Sequence, residues 1–91
     1  MTAMAIRKPT LRATELDRRA SAGAEIRLLW IPEADELLVE RLELATGETS
    51  VRRADRARAL EVFHHPETFA VIELAYDYEV DRGEIALAKV A

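Results

Sequence analysis

Two neighbouring histidines, His64 and His65, and a close set of arginines, Arg52, Arg53, Arg56 and Arg58, are the side chains with the most evident chemistry. These are the only two histidines in the chain, and imidazole is a common metal ligand and proton carrier near neutral pH. Consecutive residues on a helix point about 100° apart, so both rings do not converge easily on one ion. A zinc site would need further donors, with Glu61 and Glu67 the nearest acids. A histidine at a helix C-terminus has a simpler use, because a cation there caps carbonyl groups and favours the dipole. The sequence therefore assigns no metal and no cofactor.

The arginines invite phosphate. A three-stranded sheet running into a helix is also the layout of some sheet-reading DNA-binding domains. Opposing this, the strands ahead of the cluster carry Glu25, Glu40 and Glu43, and positive charge at a helix N-terminus works against the macrodipole. Nucleic-acid binding through Arg52, Arg53, Arg56 and Arg58 is the alternative reading, beside plain pairing with neighbouring acids. Nucleophilic catalysis lacks parts. Ser21 and Ser50 sit in no Gly-x-Ser-x-Gly elbow, three scattered glycines make no phosphate-cradling loop, and cysteine is absent. Carboxylates are plentiful, as at Asp35-Glu36 or Asp77 and Glu79, but a chain this small offers little cleft to shift a pKa. No enzyme is expected.

The elements that would position these groups follow from turns and periodicity. Met1 to Thr10 lacks a period and reads as a mobile arm. Leu11 to Ala22 reads as a weak helix, with a capping-box-like Thr14 and Asp17 and with Gly23 as its stop. Glu25 to Ile31, Leu37 to Leu44 and Thr49 to Arg53 read as three strands. Pro32 to Glu36 and Ala45 to Glu48 form the turns, Gly47 accepting the positive φ of a bulged hairpin. Asp55 is a good N-cap for a helix from Arg56, with Leu60 and Phe63 as its apolar stripe; Pro66 stops or bends that helix at His65. From Pro66 to Val80 two periods compete. Phe69, Ile72, Glu73 and Tyr76 suit a helix, whereas Ile72, Leu74, Tyr76, Tyr78 and Val80 alternate with acids as a strand would. A helix over 66–76 followed by an extended tail is the favoured reading. On the strand reading Asp81 to Glu84 turns into Ile85 to Ala91.

Arg27-Leu28-Leu29-Trp30, Thr46-Gly47-Glu48 and Ala59-Leu60-Glu61-Val62-Phe63-His64-His65-Pro66 make up a spaced pattern. It resembles one found in small uncharacterised bacterial proteins and spans about half the chain. The resemblance implies a bacterial, cytoplasmic setting and carries no function with it.

With 91 residues, the chain makes one small domain of modest stability, the kind that often gains burial by pairing. No apolar run approaches the roughly 18 residues of a membrane span, and Arg7 and Lys8 follow rather than precede the few apolar residues of the N-terminus, the reverse of a secretion signal. The net charge of −4 is segregated into alternating basic and acidic blocks, which suits self-association or an oppositely charged protein surface.

The expected architecture is α+β: a three-stranded antiparallel meander covered by a helix, with a C-terminal helical or extended association segment. Residues 1–23 would be the mobile arm and 24–91 a single ββ-β-α domain. The expected function is a non-enzymatic, cytoplasmic protein–protein interaction or regulatory module. Its partner would be a second copy or another protein, with no membrane contact, docked on Phe69, Ile72, Leu74, Tyr76 and Tyr78.

Overall fold

Ala22 and Gly23 set the first hairpin. Both adopt positive φ, 47° and 77°, in a two-residue loop between the paired Ser21 and Ala24. Positive φ at both loop positions gives the twist that matches a hairpin, and glycine carries it without Cβ strain. The computed structural model describes residues 8–81. In it β1 is Thr10–Ser21 and β2 is Ala24–Ile31. β3 (Glu36–Glu43) and β4 (Thr49–Ala54) follow through the turns read from the sequence. Asp35 stands at φ 53° and Gly47 at φ 77°. A 3-10 turn at Arg56–Arg58 leads into the short helix α1, Ala59–His64. A second 3-10 turn, Pro66–Thr68, precedes an extended connection and strand β5, Asp77–Val80.

The strands form one sheet in the order β4-β3-β2-β1-β5. Neighbours are antiparallel except β5, which runs parallel to β1 from Thr10↔Asp77 to Ala13↔Val80. The sheet curls into a half-barrel. This corrects the expected three-stranded meander under a helix: there are five strands of mixed direction, and α1 is only one short helix. Of the two extra strands, β1 comes from a segment read as helix and β5 from the tail expected to be extended beyond a helix over 66–76. Leu11 to Ser21 is strand, not weak helix, with Ala22 in the hairpin loop, and within 66–76 only Pro66–Thr68 turns helically. The expected arm over Met1 to Thr10 lies outside the described residues up to Arg7, and so does the turn and strand expected beyond Asp81.

A physical reason for the β1 misreading is a bulge. Glu15 pairs with Leu29 but Asp17 with Leu28, so Leu16 is the extra residue. A bulge shifts the two-residue period, so the apolar positions Leu11, Ala13, Leu16 and Ala20 fall out of phase and mimic a helical stripe. β5 is a different case: its alternation was visible, and pairing with β1 decided it.

Each face of the sheet has its own core. On one, Ile26, Leu28, Val39 and Ala54 pack under Val62 and Phe63 of α1, with Leu37, Ala59 and Phe69 at the margin. On the concave face Ala13, Leu29, Ile31 and Leu38 are fully buried, and Leu74, Tyr76, Tyr78 and Val80 pack over them. The chain reaches that face by passing the β4 edge, where Ile72 N donates to Val51 O at 2.9 Å. Among the described residues no helix is long and apolar enough to cross a membrane.

Candidate functional site

Alternation on β2 places Arg27 on the same face as Leu29 and Ile31, and on β3 it aligns Glu36, Leu38 and Glu40. Two acids and a guanidinium therefore flank the concave core. Arg27 and Glu40 are register partners, and Arg27 Nε donates to Glu40 Oε1 at 2.8 Å. The other Glu40 oxygen accepts from the Tyr78 hydroxyl. Arg27 Nη1 lies 3.5 Å from Glu15 Oε1, and Arg18 Nη2 lies 2.9 Å from the same oxygen. A second chain of contacts runs parallel to the first: Tyr76 donates its hydroxyl to Glu36, whose other oxygen accepts from Arg53 Nε at 2.6 Å.

Burial explains why both partners are needed. The Glu40 side chain is only 9% exposed, and a carboxylate so enclosed is tolerated when its lone pairs meet donors. Burial, then the hydrogen bond to Glu40, pushes the Tyr78 phenol well above its ordinary value. Burial and Glu36 do the same to Tyr76. Burial alone would lower Arg27, but the bond to and charge of Glu40, with Glu15, carry it upward. The hydrogen bond from Arg18 and the charges of Arg18 and Arg27 hold Glu15 below the usual carboxylate range, against its desolvation. Such groups fasten β5 over the concave face. Beside them a groove of about 860 Å³ opens between β4 and β5.

The opposite face ends differently. α1 has six residues and leaves a shallow hollow of about 390 Å³ lined by Leu16, Trp30, Leu37 and Arg56. Leu16 is 52% exposed because the bulge turns it out of the ladder. The Arg56 guanidinium lies over the Trp30 ring, 5.4 Å from its centroid, and Arg56 Nη2 donates to Asp35 Oδ1 at 3.2 Å. The Arg56 and Asp35 side chains are each 76% exposed.

The four arginines singled out in the sequence do not form one surface. Arg52 and Arg53 are adjacent on β4 and point to opposite faces. Arg52 is 8% exposed; its Nη1 donates to Ser50 Oγ at 2.7 Å, while its buried Nε meets no acceptor. Burial and the neighbouring Arg41 pull the Arg52 pKa down. Arg53 pairs with Glu36, Arg56 with Asp35 and Arg58 with Glu61 at 3.0 Å. Arg58 also sits over the Phe69 ring.

Phe69, Ile72, Leu74, Tyr76 and Tyr78 are all half-buried along the segment from the second 3-10 turn to β5. Phe69 packs on the helix-side core, and Leu74, Tyr76 and Tyr78 on the concave one. The histidines remain exposed. His64 makes an edge contact with Phe63, and His65 Nδ1 lies 3.8 Å from Glu67. Neither histidine side chain caps α1. Arg19 does, donating from Nε to Phe63 O at 2.9 Å and from Nη2 to His64 O at 2.7 Å. Among the described residues no three potential ligands gather as a metal site.

Sequence reasoning missed Arg27, Glu36 and Glu40 as network members, and Leu16 and Leu37 as a patch. The signal for the first group was present: charged residues interleaved with leucines on one face of adjoining strands call for partners. No family model, curated protein or solved structure matches the chain.

Proposed function

We propose that the protein is a non-enzymatic interaction module that pairs with a second copy of itself through the hollow beside Trp30. The observation that carries this reading is the apolar end of the sheet that α1 does not reach, where Leu16 is exposed and half-buried Trp30 has the Arg56 guanidinium over its ring. Trp30 and Leu37 continue the helix-side core beyond the reach of α1, and Leu16 extends it to the surface. A patch of this kind, centred on a large aromatic, is what interface cores use.

Charge favours a second copy over an unrelated partner. Arg56 and Asp35 stand together at the rim. In a two-fold pairing that sets the rims against each other, each Arg56 would exchange its own Asp35 for the other copy's, so one surface would complement itself. Phe69, Ile72, Leu74, Tyr76 and Tyr78 serve this assembly indirectly, by holding the connection and β5 on the sheet.

Sedimentation or light scattering across a concentration series tests the proposal. The protein is expected to populate a dimer, and Leu16→Glu to return it to monomer. Leu16 is exposed, so the substitution leaves the core intact. A monomer at several hundred micromolar sinks the reading.

A further inference from the structure

The curl of the sheet brings its two outer strands to the same opening. Thr49 and Val51 of β4 line one side of the 860 Å³ groove and Tyr78 and Val80 of β5 another; Arg27 and Glu40 contribute from the strands between, and the connection that crosses from the β4 edge closes one end with Ile72, Leu74 and Tyr76. We infer that this seam binds an extended peptide segment of a partner protein, which inserts as a strand between β4 and β5.

Backbone geometry carries the inference. Glu48 O is bonded to Glu43 N, and the ladder alternates from there. Ser50, Arg52 and Ala54 therefore face β3, while the amides of Thr49 and Val51 face outward. Val51 O, accepting from Ile72 N, confirms that phase. On β5, Asp77 N and Asp81 N reach back to Pro9 O and Ala13 O. The amides of Tyr78 and Val80 thus point away from β1, toward the seam. Apart from the Ile72 contact, these outward groups have no backbone partner among the described residues. Two open edges that share one groove are a template for strand addition.

The side chains describe the occupant. Arg27, Glu40 and Tyr78 already bond to one another, so a small polar ligand finds few unmet groups here. The unmet groups are peptide N–H and C=O, which another peptide satisfies. Inward-facing positions of the guest would lie beside Val51, Tyr78 and Val80 and favour apolar residues. Outward positions would lie beside the exposed acids Asp77 and Glu79 and favour lysine or arginine. The seam is distinct from the Trp30 hollow, so Leu16→Glu leaves it intact.

The test uses the full chain and a capped hexapeptide of alternating valine and lysine. Without peptide, the Val51, Tyr78 and Val80 amides are expected to exchange quickly with solvent. With it they are protected at least about tenfold. Methylating alternate amide nitrogens of the peptide, or replacing its lysines with glutamate, weakens binding about tenfold, the scale of a few lost hydrogen bonds or ion pairs. Thr49→Pro removes one outward donor at the first residue of an edge strand, a tolerated site, and weakens binding about threefold. Slow exchange of the three amides in the free protein overturns the inference, because the seam is then already filled by residues 82–91 or by a second copy. So does binding unaffected by N-methylation, or no binding at millimolar peptide.

Discussion

The two faces of this sheet solve the same problem by opposite means. Under α1 the cover is apolar: Val62 and Phe63 lie on Ile26, Leu28, Val39 and Ala54. Over the concave face the cover is an extended segment, and two of its anchors are tyrosines whose hydroxyls end on Glu36 and Glu40. The short helix offers two buried apolar side chains, Val62 and Phe63, and takes a directed bond from the sheet only at its end, where Arg19 meets the carbonyls of Phe63 and His64. The extended segment takes its register from the β5 ladder on β1 and has less apolar area to give, so polar pairs tie its tyrosines to the facing strands. The comparison teaches that β5 depends on directed bonds where α1 depends on area.

The most severe test is Phe63→Ala, expected to destabilise by about 4 kcal/mol in chemical denaturation, as truncations of buried aromatics do. A loss under about 1 kcal/mol means α1 is dispensable and the contrast fails. Next is Glu40→Ala, which leaves Arg27 and the Tyr78 hydroxyl without their shared acceptor. It should cost about 3 kcal/mol and raise hydrogen exchange in β5 before it does so in α1. Equal loosening of both elements breaks the comparison. The smallest effect is with pH. Both phenols are raised in the folded state, so their contribution is complete below about pH 10, the unfolded value, and is lost as pH rises through the folded values. Stability should hold to about pH 10 and then decline, and Tyr78→Phe should flatten that decline. Tyrosinate absorbance at 295 nm rising before unfolding would show the phenols to be free.

Local signals in the middle of the chain were legible. The turns at Pro32 and Gly47, the strands between and after them, and the Asp55 cap, which accepts from Arg58 N at 3.0 Å, stand where residue chemistry puts them. What failed did so for nameable reasons. The Leu16 bulge broke the period of β1, and Ala22-Gly23 is as good a helix stop as a hairpin loop when read alone. The histidines looked suited to close α1, but Arg19, forty-five residues before His64, reaches its last carbonyls. Leucines stand on both sides of the strands, and each face carries a core, the concave one roofed by the segment from Leu74 to Val80.

By itself the sequence determined where the backbone turns, because proline, glycine and an acidic cap act within a few residues of themselves. It also ruled out chemistry that requires a thiol. Only the tertiary structure decided that β5 lies parallel to β1 and that Tyr78 meets Glu40 thirty-eight positions away. Those choices turn on which distant carboxylate and which open strand edge stand within reach once the sheet curls, and no periodicity along the chain encodes that distance.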